Sequence, residues 1–252
     1  MSPPSALYLA PQPLDPLRHG ALRIGPVNDW SIAARMHAVF SAVDEWPEAA
    51  LEFPILFVHS GELDAGGAPV VTPIVLLGLA QGENLAVEGT RWRARHVPAF
   101  IRRYPFVSGR EGVLVDEAWR GLSPVEGEPL FDAQGRAAPA LQRALERLDR
   151  FDAAARQTRA VCARLGSLEL FKPMHADATL PDGRVLSIEG FSVVDEERLQ
   201  ALPDAQVLAL HRDGLLRAIH LHLASLATMP ALIERKARRE HAQSTGVPDG
   251  PP

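Results

Sequence analysis

Two adjacent arginines, Arg102 and Arg103, are the most distinctive chemical feature of the sequence. They lie between apolar and aromatic residues, and a proline stands on either side of the segment. A guanidinium group can bind a carboxylate or a phosphate through two parallel hydrogen bonds. Aromatic side chains along the chain could provide a stacking face for such a ligand: Tyr104, Phe106 and Trp92.

The same pair also has a purely structural interpretation. If the segment is extended, Arg102 and Arg103 point to opposite sides, and only one of them faces a given pocket. The other would then form an ion pair with an acid of the chain itself, such as Asp116 or Glu83. The sequence leaves open whether the pair binds a ligand or ties the fold together.

A His-X-Asp triplet, His175 and Asp177, indicates a second kind of chemistry. With a distal histidine, His211 or His222, it would form the two-histidine, one-carboxylate set that holds Fe(II) in oxygenases, with 2-oxoglutarate as co-substrate. Such a triplet often arises by chance, and the usual barrel signature of these enzymes is missing. A metal-dependent oxygenase is therefore an alternative hypothesis.

Other features of the sequence argue against several classes of function. There is no P-loop and no dinucleotide-binding fingerprint, and the single cysteine, Cys162, falls on the apolar side of a predicted helix. The net charge of −5 gives no field that favours nucleic acid. No secretory signal is visible, and no apolar stretch approaches the roughly 20 residues that span a bilayer. We therefore expect a cytoplasmic protein without a transmembrane segment.

The first half of the chain is predicted to be mostly β-structure. Apolar runs at 53–59 and 70–79 flank a glycine-rich turn, which predicts a β-hairpin. Further strands are predicted at 84–87, 90–97 and 112–116.

Helices dominate the remaining predictions. The clearest one covers 139–165, where apolar residues recur at steps of three, four and seven behind an initial proline. A shorter helix is predicted over 31–43. A second hairpin, at 174–191, turns at Pro-Asp-Gly, and short helices are predicted between 196 and 240.

Several short motifs follow one another in an order that resembles the SapC-like family of bacterial proteins. The resemblance covers about residues 14 to 235, although His96 stands where the family usually has a tyrosine. The motifs are FPILF at 53–57, LLGL at 76–79, ENL at 83–85, VPAFI at 97–101 with the double arginine behind it, GEPLFD at 127–132, DG at 182–183, GF at 190–191 and VDEE at 194–197.

This resemblance implies a binding role rather than a defined reaction. The family name is associated with surface-layer proteins and export, and its members are often neighbours of TonB-dependent receptors, halogenase-like enzymes and cupin-like proteins. No catalytic residues follow from it. The leading hypothesis is a non-catalytic accessory protein that recognises a protein or peptide partner, such as a halogenase-like enzyme or a receptor segment. An envelope or surface-layer export component is a further alternative, and the sequence is compatible with a homo-oligomer.

The predicted fold class is α+β. An antiparallel sheet from residues 50–120, joined by the 175–191 hairpin, is expected to pack against the 139–165 helix and the C-terminal helices. The apolar stripe of the long helix is too wide to remain in water and must be covered. The predicted organisation is a flexible proline-rich segment (1–16), one domain (17–240) and a flexible tail (241–252).

Overall fold

The structure is a computed structural model that describes residues 7–63, 66–67, 69–180 and 183–245. The strands are β1 (Pro11–Pro13), β2 (Arg23–Ile24), β3 (Ala38–Phe40), β4 (Ile55–Leu63), β5 (Pro69–Leu76), β6 (Val87–Glu88), β7 (Arg91–Trp92), β8 (Phe106–Gly109), β9 (Gly112–Asp116), β10 (Leu122–Ser123), β11 (Glu128–Pro129), β12 (Phe171–Thr179) and β13 (Val185–Val194). The α-helices are α1 (Pro16–His19), α2 (Trp46–Ala49), α3 (Ala99–Arg102), α4 (Pro139–Ser167), α5 (Glu196–Gln200), α6 (Asp204–Arg212), α7 (Leu215–Ser225) and α8 (Met229–Thr245). Short 3₁₀ helices occur at Trp30–Ala33, Val43–Glu45 and Leu226–Thr228.

An antiparallel five-stranded sheet lies at the centre, with the strand order β12-β13-β4-β5-β3. Both predicted hairpins, β4–β5 and β12–β13, belong to it. Successive side chains of β4 point to opposite faces, so Ile55 and Phe57 enter the largest core while Leu56 enters a second core with Leu232 of α8. The α+β prediction is confirmed, and a hydrophobic cluster packs on each face of the central part of the sheet.

The long helix α4 extends the predicted span by two residues and contacts β5 and β8. Pro139 occupies its first turn, where a missing N–H costs nothing. Leu148, Val161 and Leu165 are buried at helical spacing, so the predicted apolar stripe is the face that packs on the rest of the protein.

The N-terminal segment differs from the predicted flexible segment over the residues that are described. Leu7 and Tyr8 are buried, and β1 pairs with β9 in a second, three-stranded sheet. The Asp116 carboxylate accepts hydrogen bonds from the Leu9 and Ala10 amides, which holds the segment in place. Residues 1–6 and 246–252 lie outside the described residues, whereas 241–245 belong to α8. The domain limits otherwise stay predictions.

The helix predicted over 31–43 is replaced by a 3₁₀ turn, Trp30–Ala33, and by strand β3. Val39 lies opposite Val75 of β5 and is buried there. The apolar spacing of this stretch is compatible with a helix, but hydrogen bonding to the sheet edge stabilises the extended conformation instead. Tertiary pairing has overridden the local pattern.

The C-terminal helices form a continuous run, Leu215–Gln243, that is long and apolar enough to cross a membrane by length and composition alone. Core helices of soluble proteins meet the same criterion. Within this run the 3₁₀ turn Leu226–Thr228 separates α7 from α8, and Pro230 lies in the first turn of α8, where a proline is tolerated. In the structure α7 packs on β13 and β4. The predicted cytoplasmic location and lack of a transmembrane segment stay predictions.

Candidate functional site

The residues with the clearest chemical potential line one cavity of about 280 Å³ between α3, α4 and the segment before α2. We call it the arginine cavity. Its polar lining consists of four arginines and one acid: Arg102, Arg103, Arg147, Arg150 and Asp44. Its apolar lining includes Phe151 and three alanines.

Helix α3 brings both arginines of the pair to this cavity. The segment is helical rather than extended, because the Pro98 carbonyl accepts hydrogen bonds from the Ile101 and Arg102 amides. Neighbouring side chains are then about 100° apart around the helix axis, instead of on opposite sides. The expectation that only one arginine could face a given pocket does not hold for this geometry.

Arg103 is held between two aromatic rings. Its Cζ lies 4.4 Å from the ring centroids of both Phe100 and Phe151. The electron-rich ring faces attract the cation and fix its direction. Its Nε is buried without a hydrogen-bond partner among the described residues. Arg103 also lies near Tyr8. Burial raises the pKa of the Tyr8 hydroxyl to about 12, although the charge of Arg103 acts in the opposite direction.

A backbone hydrogen bond orients the side chain of Arg102, but its guanidinium group stays exposed. Its Nε donates a 2.7 Å hydrogen bond to the Val97 carbonyl. Its Nη2 is 3.8 Å from Oε2 of Glu45, a carboxylate that already accepts hydrogen bonds from the Ala42 and Ala99 amides. The side chain of Arg102 remains 51% exposed. A long contact to a shared carboxylate leaves it able to bind a second anion.

The sequence suggests Asp116 or Glu83 as an ion-pair partner for one of the two arginines, but both carboxylates bind other groups. Asp116 accepts from the Tyr104 hydroxyl as well as from the N-terminal segment. Glu83 accepts from Lys236 of α8 at 2.7 Å. The acid that Arg102 approaches is Glu45 instead, which lies just beyond the segment 31–43 that is predicted to be helical.

Helix α4 contributes Arg147 and Arg150 to the opposite wall. Arg150 Nε donates to the Glu146 carbonyl at 3.3 Å, whereas Arg147 has no hydrogen bond or ion pair within the described part of the chain. Partial burial lowers the pKa of Arg147, and its arginine neighbours, Arg102 among them, lower it further. Mutual repulsion between these cations is relieved when an anion binds among them.

Asp44 is the one acid of the lining. Burial, and then the adjacent Glu45, raise the pKa of its carboxyl group. The cavity therefore carries a clear excess of positive charge. Of the described residues that line it, none is a serine, cysteine, histidine or lysine. The arrangement suits binding of a carboxylate or phosphate.

The aromatic residues predicted to accompany the arginines lie elsewhere. Tyr104 is buried and donates its hydroxyl hydrogen to Asp116, and Phe106 is packed in a core cluster. Trp92 packs near Trp30 and Phe53. Two other rings contact Arg103 instead: Phe100, within the same motif, and Phe151 of α4, which is one helical turn after Arg147 and adjacent to Arg150. The sequence shows this spacing along α4, but it does not show that this face of α4 lies against α3.

The structure does not assemble the predicted iron-binding set. His175 and Asp177 are exposed on β12, and His211 is exposed on α6. Within the described ranges, no three His, Cys, Asp or Glu side chains lie together as metal ligands would. His222 is fully buried on α7, where its Nε2 accepts from the Val194 amide and its Nδ1 donates to the Ile55 carbonyl. Both ring nitrogens are therefore occupied by the backbone.

Comparison with known proteins identifies one family. The profile of the SapC family matches residues 14–232, which is most of the 252-residue chain. No curated protein and no solved structure gives a significant match.

Proposed function

The chain belongs to the SapC family, and we propose that it is a non-catalytic binding protein whose arginine cavity receives acidic side chains of a protein or peptide partner. The observation that carries the proposal is the set of four guanidinium groups around one small cavity with a single carboxylate. Guanidinium groups are the side chains best suited to bind carboxylates through paired hydrogen bonds.

The size of the cavity supports a side-chain ligand. Small-molecule sites usually measure roughly 300–1,000 Å³, and a cavity of about 280 Å³ falls just below that range. It holds one or two acidic side chains rather than a whole cofactor. The exposed positions of Arg102, Arg147 and Arg150 leave these guanidinium groups accessible to a larger partner.

Preorganisation supports the same role. Arg103 is fixed between Phe100 and Phe151, and Arg102 is fixed by the Val97 carbonyl. Less side-chain entropy is then lost when the partner binds. Halogenase-like enzymes and TonB-dependent receptors, the neighbours that the family resemblance implies, are the partners to try first.

The test uses a fluorescein-labelled octaglutamate peptide, and anisotropy measures its affinity. We expect Arg102→Glu and Arg147→Glu each to weaken binding by about tenfold or more, which is about 1.4 kcal/mol. Arg156→Glu makes the same charge change on an exposed residue of α4 outside the cavity lining. We expect this control to bind the peptide nearly as well as the unchanged protein.

Two results would contradict the proposal. If Arg102→Glu and Arg147→Glu bind the peptide no more weakly than Arg156→Glu, the arginine cavity is not the site. Equal affinity for an octalysine peptide would also count against it, because a positive cavity must discriminate between the two charges.

A further inference from the structure

A second, larger cavity opens beside the C-terminal half of α4. It measures about 720 Å³ and lies between α4, the β4–β5 hairpin and the start of β12. We call it the apolar groove. Its apolar walls include Val70, Val71, Ala160, Ala163 and Phe171. The volume falls within the roughly 300–1,000 Å³ of small-molecule sites.

Short side chains on α4 keep the groove open. Ala160, Ala163 and Gly166 are exposed and face the Phe171 side of the groove. A Cβ atom added at Gly166 would meet the Phe171 ring only at 3.9 Å. A larger residue on this face of the helix would therefore enter the groove rather than disturb the core.

Two arginines and one glutamate line the groove: Arg159, Arg198 and Glu169. Arg198 donates to the Glu169 carbonyl at 2.9 Å and lies 3.2 Å from the Glu169 carboxylate. Arg159, in contrast, has no hydrogen-bond or ion-pair partner among residues 7–63, 66–67, 69–180 and 183–245. An unpaired guanidinium beside an apolar groove is complementary to a molecule with a long apolar body and one anionic end.

Cys162 lines the groove but does not offer covalent chemistry. It is 3% exposed, and burial raises the pKa of its thiol to about 12. A thiol with such a pKa is almost entirely protonated at neutral pH and is a poor nucleophile. Binding in the groove is therefore non-covalent.

We propose that the apolar groove binds a small apolar carboxylic acid, with its chain along α4 and its carboxylate on Arg159. This site is separate from the arginine cavity: the two share no lining residue. The proposal therefore does not rest on the proposed partner-binding function. Burial of the chain supplies the affinity, and the guanidinium selects the charge of the head group.

The experiment measures binding of decanoate, kept below its micelle concentration, by isothermal titration calorimetry. We expect Ala163→Phe, which fills the groove, and Arg159→Glu, which reverses the charge, each to weaken binding by about tenfold or more. Arg156→Glu is the matched control one turn earlier on α4, and we expect it to bind as the unchanged protein does. Circular dichroism checks that each variant is folded.

Three results would overturn the proposal. Ala163→Phe could bind decanoate with unchanged affinity, which would place the ligand elsewhere. Decyltrimethylammonium, with the same chain and the opposite charge, could bind as tightly as decanoate. Binding could also occur only to vesicles of phosphatidylglycerol and not to monomeric decanoate, which would make the groove a membrane contact instead. In each case the octaglutamate measurement tests the arginine cavity independently.

Discussion

At the scale of single residues, Glu45 holds the wall of the arginine cavity together. Its carboxylate is 6% exposed and accepts hydrogen bonds from the Ala42 amide at 3.0 Å and the Ala99 amide at 2.8 Å. His96 Nε2 lies 3.2 Å away. One side chain thus joins the turn before α2 to the start of α3, and so fixes the position of the arginine pair.

We expect Glu45→Ala to lower the free energy of unfolding by about 1–3 kcal/mol, because two amides lose their acceptor in a largely buried place. Urea denaturation followed by circular dichroism measures the change. Glu48→Ala, an exposed glutamate of α2, is the control and should change stability by less than about 0.5 kcal/mol. Equal unfolding midpoints for the two variants would show that the Glu45 hydrogen bonds contribute little.

At the scale of elements, α7 is joined to the central sheet by polar contacts inside the core. The Ser225 hydroxyl accepts a hydrogen bond from the Ile55 amide of β4. His222 bridges the Ile55 carbonyl and the Val194 amide of β13. Burial lowers the pKa of His222 to about 4, so the imidazole is neutral in the folded protein at neutral pH. Proton binding there opposes the packing of α7.

The lowered pKa of His222 makes the free energy of unfolding depend on pH. Between pH 6.5 and about 4, the unfolded chain protonates His222 and the folded one does not, so stability falls as the pH falls. The loss amounts to about 3 kcal/mol and is complete near pH 4. Above pH 6.5 both states are neutral, and this contribution is fully present.

Comparison of variants isolates this contribution. His222→Gln keeps a donor and an acceptor but cannot titrate, so its unfolding free energy should fall less between pH 7 and pH 4. His220→Gln, on the exposed side of the same helix, should retain the pH dependence of the unchanged protein. If the unfolding free energy of His222→Gln depends on pH in the same way as that of His220→Gln, His222 is not the source of the pH dependence.

At the scale of the whole molecule, one core connects distant parts of the chain. The largest hydrophobic cluster contains Ala33, Phe57, Val87, Leu165 and Ile219, which come from the 3₁₀ turn Trp30–Ala33, β4, β6, α4 and α7. Helix α8 is tied to the 83–87 segment by Lys236 and Arg239. Such a contact pattern favours one cooperative unit over two independent domains.

We therefore expect a single unfolding transition in urea. Far-UV circular dichroism reports the helices, and the fluorescence of the four tryptophans, Trp30, Trp46, Trp92 and Trp119, reports packing in two core clusters. The two signals should give the same midpoint, as two-state unfolding requires. Two separated midpoints would contradict the predicted single domain.

The sequence by itself determined the parts of this protein that depend on neighbouring residues. Apolar spacing predicts α4, turn residues predict the two hairpins, and the order of short motifs identifies the family. These signals are local, because helix periodicity and turn conformation are set by residues within a few positions of one another.

Only the tertiary structure decided which distant residues meet. It places Arg147 and Arg150 opposite Arg102, and pairs β3 with β5 where the local pattern indicates a helix. It also encloses His222 between two strands, away from His175. Such outcomes depend on how whole faces of helices and sheets pack, since a residue type alone does not specify its partner far along the chain.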